Sequence, residues 1–346
     1  MKKTIHSVLL SILFIFLLKE GTYFLYKSNI EARVHNTGFH WMAKERLSNK
    51  HQSDSFFFPF ILHNLNLDLS SEDFKRLCQM IYLLASAILI FYFSMKADLY
   101  AGGFIGLFIL LSPISLIQST WIGFPDHLTY FFSICILILI DRMKLDFFSL
   151  AVTFFVLLFG CWNHFYQFSI IVSLLILTYS ITTKSIHYKF ISFVAATLIF
   201  ARLTAIYIFY AKDIVFEDVR LDAVANTSVF HWLRVYSAVP ILAFVSFFNG
   251  NIVFLLERLY HKNYFILIPI LISIAVTFFT SDTTRVFTHL FYPCWFAIWL
   301  LVIGSKKSYF KENRNLYFTL ILISFVILKS MNLFYVWGDR VIHLLK

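Results

Sequence analysis

Charge is what this sequence has least of. Only 14% of its 346 residues are Asp, Glu, Lys or Arg, against 60% hydrophobic, and mean hydropathy is +0.77. A water-soluble domain of that composition would expose large apolar patches and aggregate, so that class is excluded. Cysteine is also scarce. Cys78, Cys135, Cys161 and Cys294 lie in or beside apolar stretches with no paired spacing. They read as small buried hydrophobes, neither disulfide partners nor metal ligands. The strict alternation that marks barrel strands is missing, which argues against a membrane β-barrel. No glycine-rich phosphate loop, acidic cluster, internal repeat or low-complexity linker is present.

What is abundant is long apolar runs. Backbone polar groups in lipid must be satisfied within each segment, and runs of roughly 17–25 residues do this as helices. The sequence therefore predicts an all-α, polytopic transmembrane bundle of about 11 spans. They fall near 5–26, 77–95, 100–118, 126–140, 147–162, 165–181, 190–210, 236–255, 264–280, 286–303 and 316–336. The fifth and sixth form a broken or re-entrant pair around Trp162-Asn163-His164. Met1-Lys2-Lys3 and the run after it resemble a signal peptide without a small-x-small cleavage site, so the first span is expected to stay.

Lys and Arg set the orientation. With the N-terminus in the cytoplasm, the cytoplasmic segments hold Lys2, Lys3, Lys96, Arg142, Lys144, Lys184, Lys189, Arg258, Lys262, Lys306, Lys307, Lys311 and Arg314. The short turns on the other side hold Arg285 alone, and the C-terminus falls outside. The formal charge of +10 has its cause here, so no nucleic-acid partner is expected. Residues 1–346 read as one integral membrane domain with outer loops at about 27–76 and 211–235. The first loop mixes charges with Trp41, Phe56-Phe57-Phe58-Pro59 and Leu62.

The polar residues then sort to the outer boundary. Asp282, Arg285 and His289 stand at i, i+3 and i+7, on one face of a helix. Glu20 ends the first span and Asp126 opens the fourth. Asn163, His164 and Gln167 sit where spans five and six meet. Each has a plainer role open to it. Glu20 beside Lys19 makes an interfacial anchor, and Asp126 after Pro125 a helix cap. Asn163, His164 and Gln167 make interhelical hydrogen bonds, and Asp282 an ion pair with Arg285. Gly102 and Gly106 form a GxxxG, which reads as close helix packing or as chance. Arg202 and Lys329 lie inside spans and either snorkel or pair. Asp339 and Arg340 read as a solvated tail. The topology predicts that Asp282, Arg285 and His289 form one wall of an outer cavity shared with Glu20, Asp126 and His164.

Such a set suits one chemistry. A carboxylate can deprotonate an acceptor hydroxyl or hold a divalent cation, Mg²⁺ or Mn²⁺, although no ligand spacing demands a metal. Arginine and histidine can neutralise a leaving phosphate. A long first loop can cover a lipid-linked donor whose tail enters from the bilayer.

The layout resembles the family C glycosyltransferase superfamily, multi-span enzymes that use polyprenyl-linked sugars. The residues carrying the resemblance are Glu20 (or Glu31) ahead of a long loop with Phe56-Phe57-Phe58-Pro59-Phe60, and Leu111-Ser112-Pro113 followed by Gly123-Phe124-Pro125-Asp126-His127. They cover roughly the first 140 residues. The family's first-loop acid is usually an Asp within a paired-acid motif; here it is a single Glu. The resemblance implies a polyprenyl-phosphate(-diphosphate) sugar donor, a glycan or lipid acceptor, and catalysis by Glu20 or Asp126 at the periplasmic face of a bacterial inner membrane. The Asp282–Arg285 motif has no counterpart in that family's layout; the chemistry of Arg285 and His289 alone suits them to bind the phosphate. Two other readings stay open: a repeat-unit polymerase for O-antigen or capsule, and a lipid-linked-saccharide flippase or transporter. A scaffold in envelope assembly is a further one.

Overall fold

The computed structural model describes residues 2–34, 47–48, 52–120, 125–217, 240–280, 283–330, 334–337 and 340–343. Asp282, Trp41, Asp339, residues 121–124 and nearly all of the second outer loop lie outside them, as do the side chains of Glu31 and Arg340.

The protein is a helical membrane protein. Its elements are α1 (Lys2–Val34), α2 (Phe57–Asn64), α3 (Ser71–Lys96), α4 (Leu99–Leu110), α5 (Pro113–Thr120), α6 (Asp126–Arg142), α7 (Phe147–Thr183) and α8 (Tyr188–Tyr210). Then follow α9 (Pro240–Phe248), a 3-10 turn (Asn249–Asn251), α10 (Ile252–Tyr260), a second such turn (Tyr264–Ile266), α11 (Leu267–Thr277), α12 (Thr283–Ser305), α13 (Tyr309–Glu312) and α14 (Arg314–Ser330). Strands β1 (Phe334–Trp337) and β2 (Arg340–His343) close the described chain as an antiparallel hairpin. Residue 340, expected in a solvated tail, lies in that hairpin: Arg340 pairs with Trp337, and β1 packs on α9 and α12.

Six segments among the described residues are long and apolar enough to cross a membrane. The pair α4 and α5, bent by 58° at Leu111-Ser112, makes a seventh. Three of the expected eleven, at α6 (17 residues), α11 (11) and α14 (17), lie outside these seven, with α6 and α14 at the short end of the length that crosses a bilayer. Capping follows the chemistry: Asp98 accepts from the Ala101 amide at 2.9 Å and Asp146 from that of Ser149 at 3.0 Å.

The chain divides into two compact units. The first comprises Met1–His35, Leu83–Thr120 and Val229–Lys346. Its core is α12, apolar on every side from Leu290 to Ile303 and buried on nearly every side as such a stretch must be. Trp295 and Trp299 are wholly buried there. Gly102 and Gly106 are contact glycines. A Cβ on Gly102 would lie 1.9 Å from Ser94 Oγ, and one on Gly106 would lie 2.3 Å from the Phe14 ring.

The second unit comprises Asn36–Tyr82 and Trp121–Ser228. It is built on α6, α7 and α8, each packed on the next. Here the predicted break is present. His164 takes φ −162°, ψ 82°, an extended conformation inside α7. Eight residues of continuous helix rise about 12 Å. Yet Cys161 Sγ lies 3.9 Å from Ser169 Oγ, and a Cβ on Gly160 would meet the Phe168 ring at 2.3 Å. The chain therefore turns back at His164, and its two halves lie side by side near the turn.

Candidate functional site

The break at His164 frees backbone groups that a continuous helix would use, and buried ones need partners. The Trp162 carbonyl accepts from the Phe56 amide at 3.0 Å, and the Phe165 amide donates to the Asp54 carbonyl at 3.3 Å. The stretch before α2 thus clamps the break. Phe56 also packs on Trp162 with ring centroids 5.4 Å apart, and Trp162 Nε1 donates to Thr204 Oγ1 at 3.2 Å.

On the other side Asn163 ties the break to the start of α6. Its Nδ2 donates to the Pro125 carbonyl and to Thr129 Oγ1, both at 2.9 Å. Asp126 is therefore held one residue from a group that the break fixes. It is 2% exposed, and His127 and His164 are equally buried. Asp126 is the first residue of α6, and Pro125 takes the cap position. The expected cap role thus belongs to neither side chain, although a carboxylate in the first turn still faces the positive end of the helix dipole. Gln167 is 6% exposed, and its Nε2 meets no hydrogen-bond partner among the described residues.

Two residues of this unit escaped the sequence reading as a pair. Arg202, the mid-span cation, lies 3.5 Å from the Asp54 carboxylate. Its guanidinium stands 4.7 Å from the Phe165 ring centroid and 4.6 Å from that of Phe216, and it donates to Tyr166 Oη at 3.3 Å. Arg202 pairs and stacks; it does not snorkel. Among the described residues of the first loop, the deeply buried acid is Asp54, next to Phe56-Phe57-Phe58-Pro59.

The other expected residues belong to the first unit. Glu20 is on the exposed side of α1, its side chain 70% accessible and 3.7 Å from Lys19. That is the geometry of the anchor reading. Arg285 is half-buried in the first turn of α12, with His289 one turn on and 4% exposed. His289 Nε2 lies 3.5 Å from Gln118 Nε2 of α5. Pro293 has no amide, so it removes the helical bond to the His289 carbonyl. Thr284 Oγ1 and Ser246 Oγ are 2.8 Å apart beside them.

The first unit holds a second buried charge pair. Arg258 is 1% exposed, bound to Glu257 and to the hydroxyls of Tyr309 (2.6 Å) and Tyr317 (2.8 Å). It lies 4.3 Å over the Trp299 ring. The count of turn cations that set the orientation included Arg258; in the fold it is buried and paired.

Among the described residues, no group of three His, Cys, Asp or Glu side chains is placed to hold a metal ion. No family model matches the chain, and no curated protein or solved structure matches it either.

Proposed function

We propose that the chain is a membrane glycosyltransferase that moves a sugar from a polyprenyl-phosphate or polyprenyl-diphosphate donor to a glycan or lipid acceptor. In this reading it acts at the periplasmic face of a bacterial inner membrane. Asp126 takes the proton of the acceptor hydroxyl. The acceptor oxygen forms a bond to the anomeric carbon, the bond from that carbon to the phosphate oxygen breaks, and the lipid phosphate leaves. Asn163 holds the start of α6, and with it Asp126, against the break. Gln167 donates to the sugar or acceptor.

One observation carries the reading. A buried carboxylate, Asp126, begins a helix in the unit where Gln167 keeps an unspent buried donor near a helix break. Polar groups are expensive within a membrane bundle and mark functional sites there, and buried donors are rarely left unspent without a ligand to meet them. The test is radiolabelled sugar transfer in membranes carrying the protein. A labelled product with a new glycosidic bond supports the reading, and no product from any polyprenyl-linked sugar sinks it.

A lipid-linked-saccharide transporter is the second reading. The bend between α4 and α5 and the break at His164 favour it, because transporter sites are often built from interrupted helices. It predicts movement of the labelled lipid across vesicle membranes with no new glycosidic bond.

A further inference from the structure

We propose that the cleft between α4 and α14 binds an anionic phospholipid of the surrounding bilayer. Its phosphate sits at Arg314 and Asn315, and one acyl chain lies along Gly103, Leu107, Phe318 and Ile321. The cleft has a volume of about 570 Å³ and lies wholly within the first unit. That is the size of a pocket for a small organic molecule or a lipid segment. The inference stands independently of sugar transfer.

The walls favour a hydrocarbon chain. Gly103 differs from the two contact glycines on its own helix: a Cβ there would meet nothing within 4 Å. Its missing side chain therefore leaves room in the cleft. The floor is aromatic and fixed. Phe104 stacks on Phe310 with centroids 4.5 Å apart, and the Tyr317 ring lies 4.9 Å from both. The Tyr317 hydroxyl is held by Arg258 at 2.8 Å and Glu257 at 2.9 Å. The polar atom of the floor is thus spent on the ion pair and the ring remains for the cleft. Leu99, Tyr100 and Phe318, all exposed, border the opening.

The rim favours an anion. Arg314 and Asn315 are exposed and open α14, so the positive end of a 17-residue helix adds to the guanidinium. Lys306 is neutralised by Glu312. Lys307 and Lys311 are exposed, and neither they nor Arg314 form an ion pair among the described residues. An apolar cleft under an unneutralised basic rim asks for one molecule with both chemistries, and basic pockets between membrane helices bind anionic headgroups in this way. A peptide or a sterol would leave one half of the site unmatched.

The full chain, purified in detergent with equal amounts of phosphatidylglycerol and phosphatidylcholine, tests this by native mass spectrometry. The wild type is expected to retain phosphatidylglycerol preferentially. Arg314→Ala should lower that retention about fivefold, the effect of one cation near a headgroup. Gly103→Leu should lower retention of both lipids, because its side chain fills the cleft. Lys144→Ala, an exposed cation of the second unit, should change nothing. Arg314 is exposed and the Gly103 Cβ has open space, so both variants should keep the wild-type unfolding midpoint. Equal retention of the two lipids by the wild type overturns the proposal. So does unchanged retention in either cleft variant, or a loss in Lys144→Ala equal to that in Arg314→Ala.

Discussion

Replacing Arg258 with methionine should be among the most damaging single changes outside the candidate site. Arg258 is 1% exposed and bonds Glu257, Tyr309 and Tyr317 while covering the Trp299 ring. Methionine fills much of the same space but leaves the Glu257 carboxylate, itself 8% exposed, with the Tyr317 hydroxyl at 2.9 Å and His261 at 3.5 Å as its partners among the described residues. Breaking a buried pair by removing one partner costs about 3–5 kcal/mol. Losing a desolvated cation–π contact belongs to the same change and is worth about 2 kcal/mol by itself. The sum is not additive, so about 3–5 kcal/mol is the expected loss. At roughly 2 °C per kcal/mol for a chain this long, the unfolding midpoint should fall by roughly 6–10 °C. Tryptophan fluorescence in detergent at one fixed scan rate measures it, the fixed rate guarding against irreversible unfolding. The double variant Glu257→Leu with Arg258→Met removes both charges and should return to within about 1 kcal/mol of the wild type. A single variant as stable as the wild type would refute the reasoning, as would a double variant no better than the single.

The remaining predictions concern packing, the break and pH. Gly106→Leu must displace the Phe14 ring and should cost about 1–3 kcal/mol by overpacking. Gly304→Ala, where a Cβ meets nothing within 4 Å, should be neutral or stabilising in the same melt. Asn163→Ala removes both hydrogen bonds to the start of α6 and should cost about 1–3 kcal/mol, read as a lower midpoint and faster proteolysis. The Ser149 amide and hydroxyl, with Lys144 nearby, hold the Asp146 carboxyl below its usual range. Its contribution is therefore present above the unfolded value and lost as pH falls through the folded one. The midpoint difference between wild type and Asp146→Ala should be present at about pH 7 and shrink below about pH 4; a difference that grows on acidification would contradict the assignment.

Much of the helix plan was legible because it depends on local composition. Apolar runs gave α1, α3, α7, α8 and α12, and the polar trio at 162–164 announced the break. The Gly102–Gly106 spacing left a tight helix contact open beside chance, and the fold makes it a contact. What was not legible depends on contacts between distant residues. Asp54 and Arg202 are 148 positions apart in sequence, and only the fold brings the loop acid to the mid-span cation. Arg258 looked like a turn charge because hydropathy weighs neighbours along the chain, whereas its burial comes from Tyr309, Tyr317 and Trp299. For the candidate site, sequence supplied Asp126, Asn163, His164 and Gln167. It did not supply the clamp from Asp54 and Phe56, since backbone hydrogen bonds across a helix break leave no residue signature.

The central claim rests on Asp126 acting as a base, and sugar transfer in membranes carrying Asp126→Asn tests it most directly. The amide keeps the size of the carboxylate but cannot take a proton. With the chain present at the wild-type amount and midpoint, the account predicts that transfer of radiolabelled sugar from a polyprenyl-linked donor falls by about 100-fold or more. Transfer at the wild-type rate in that variant would contradict it.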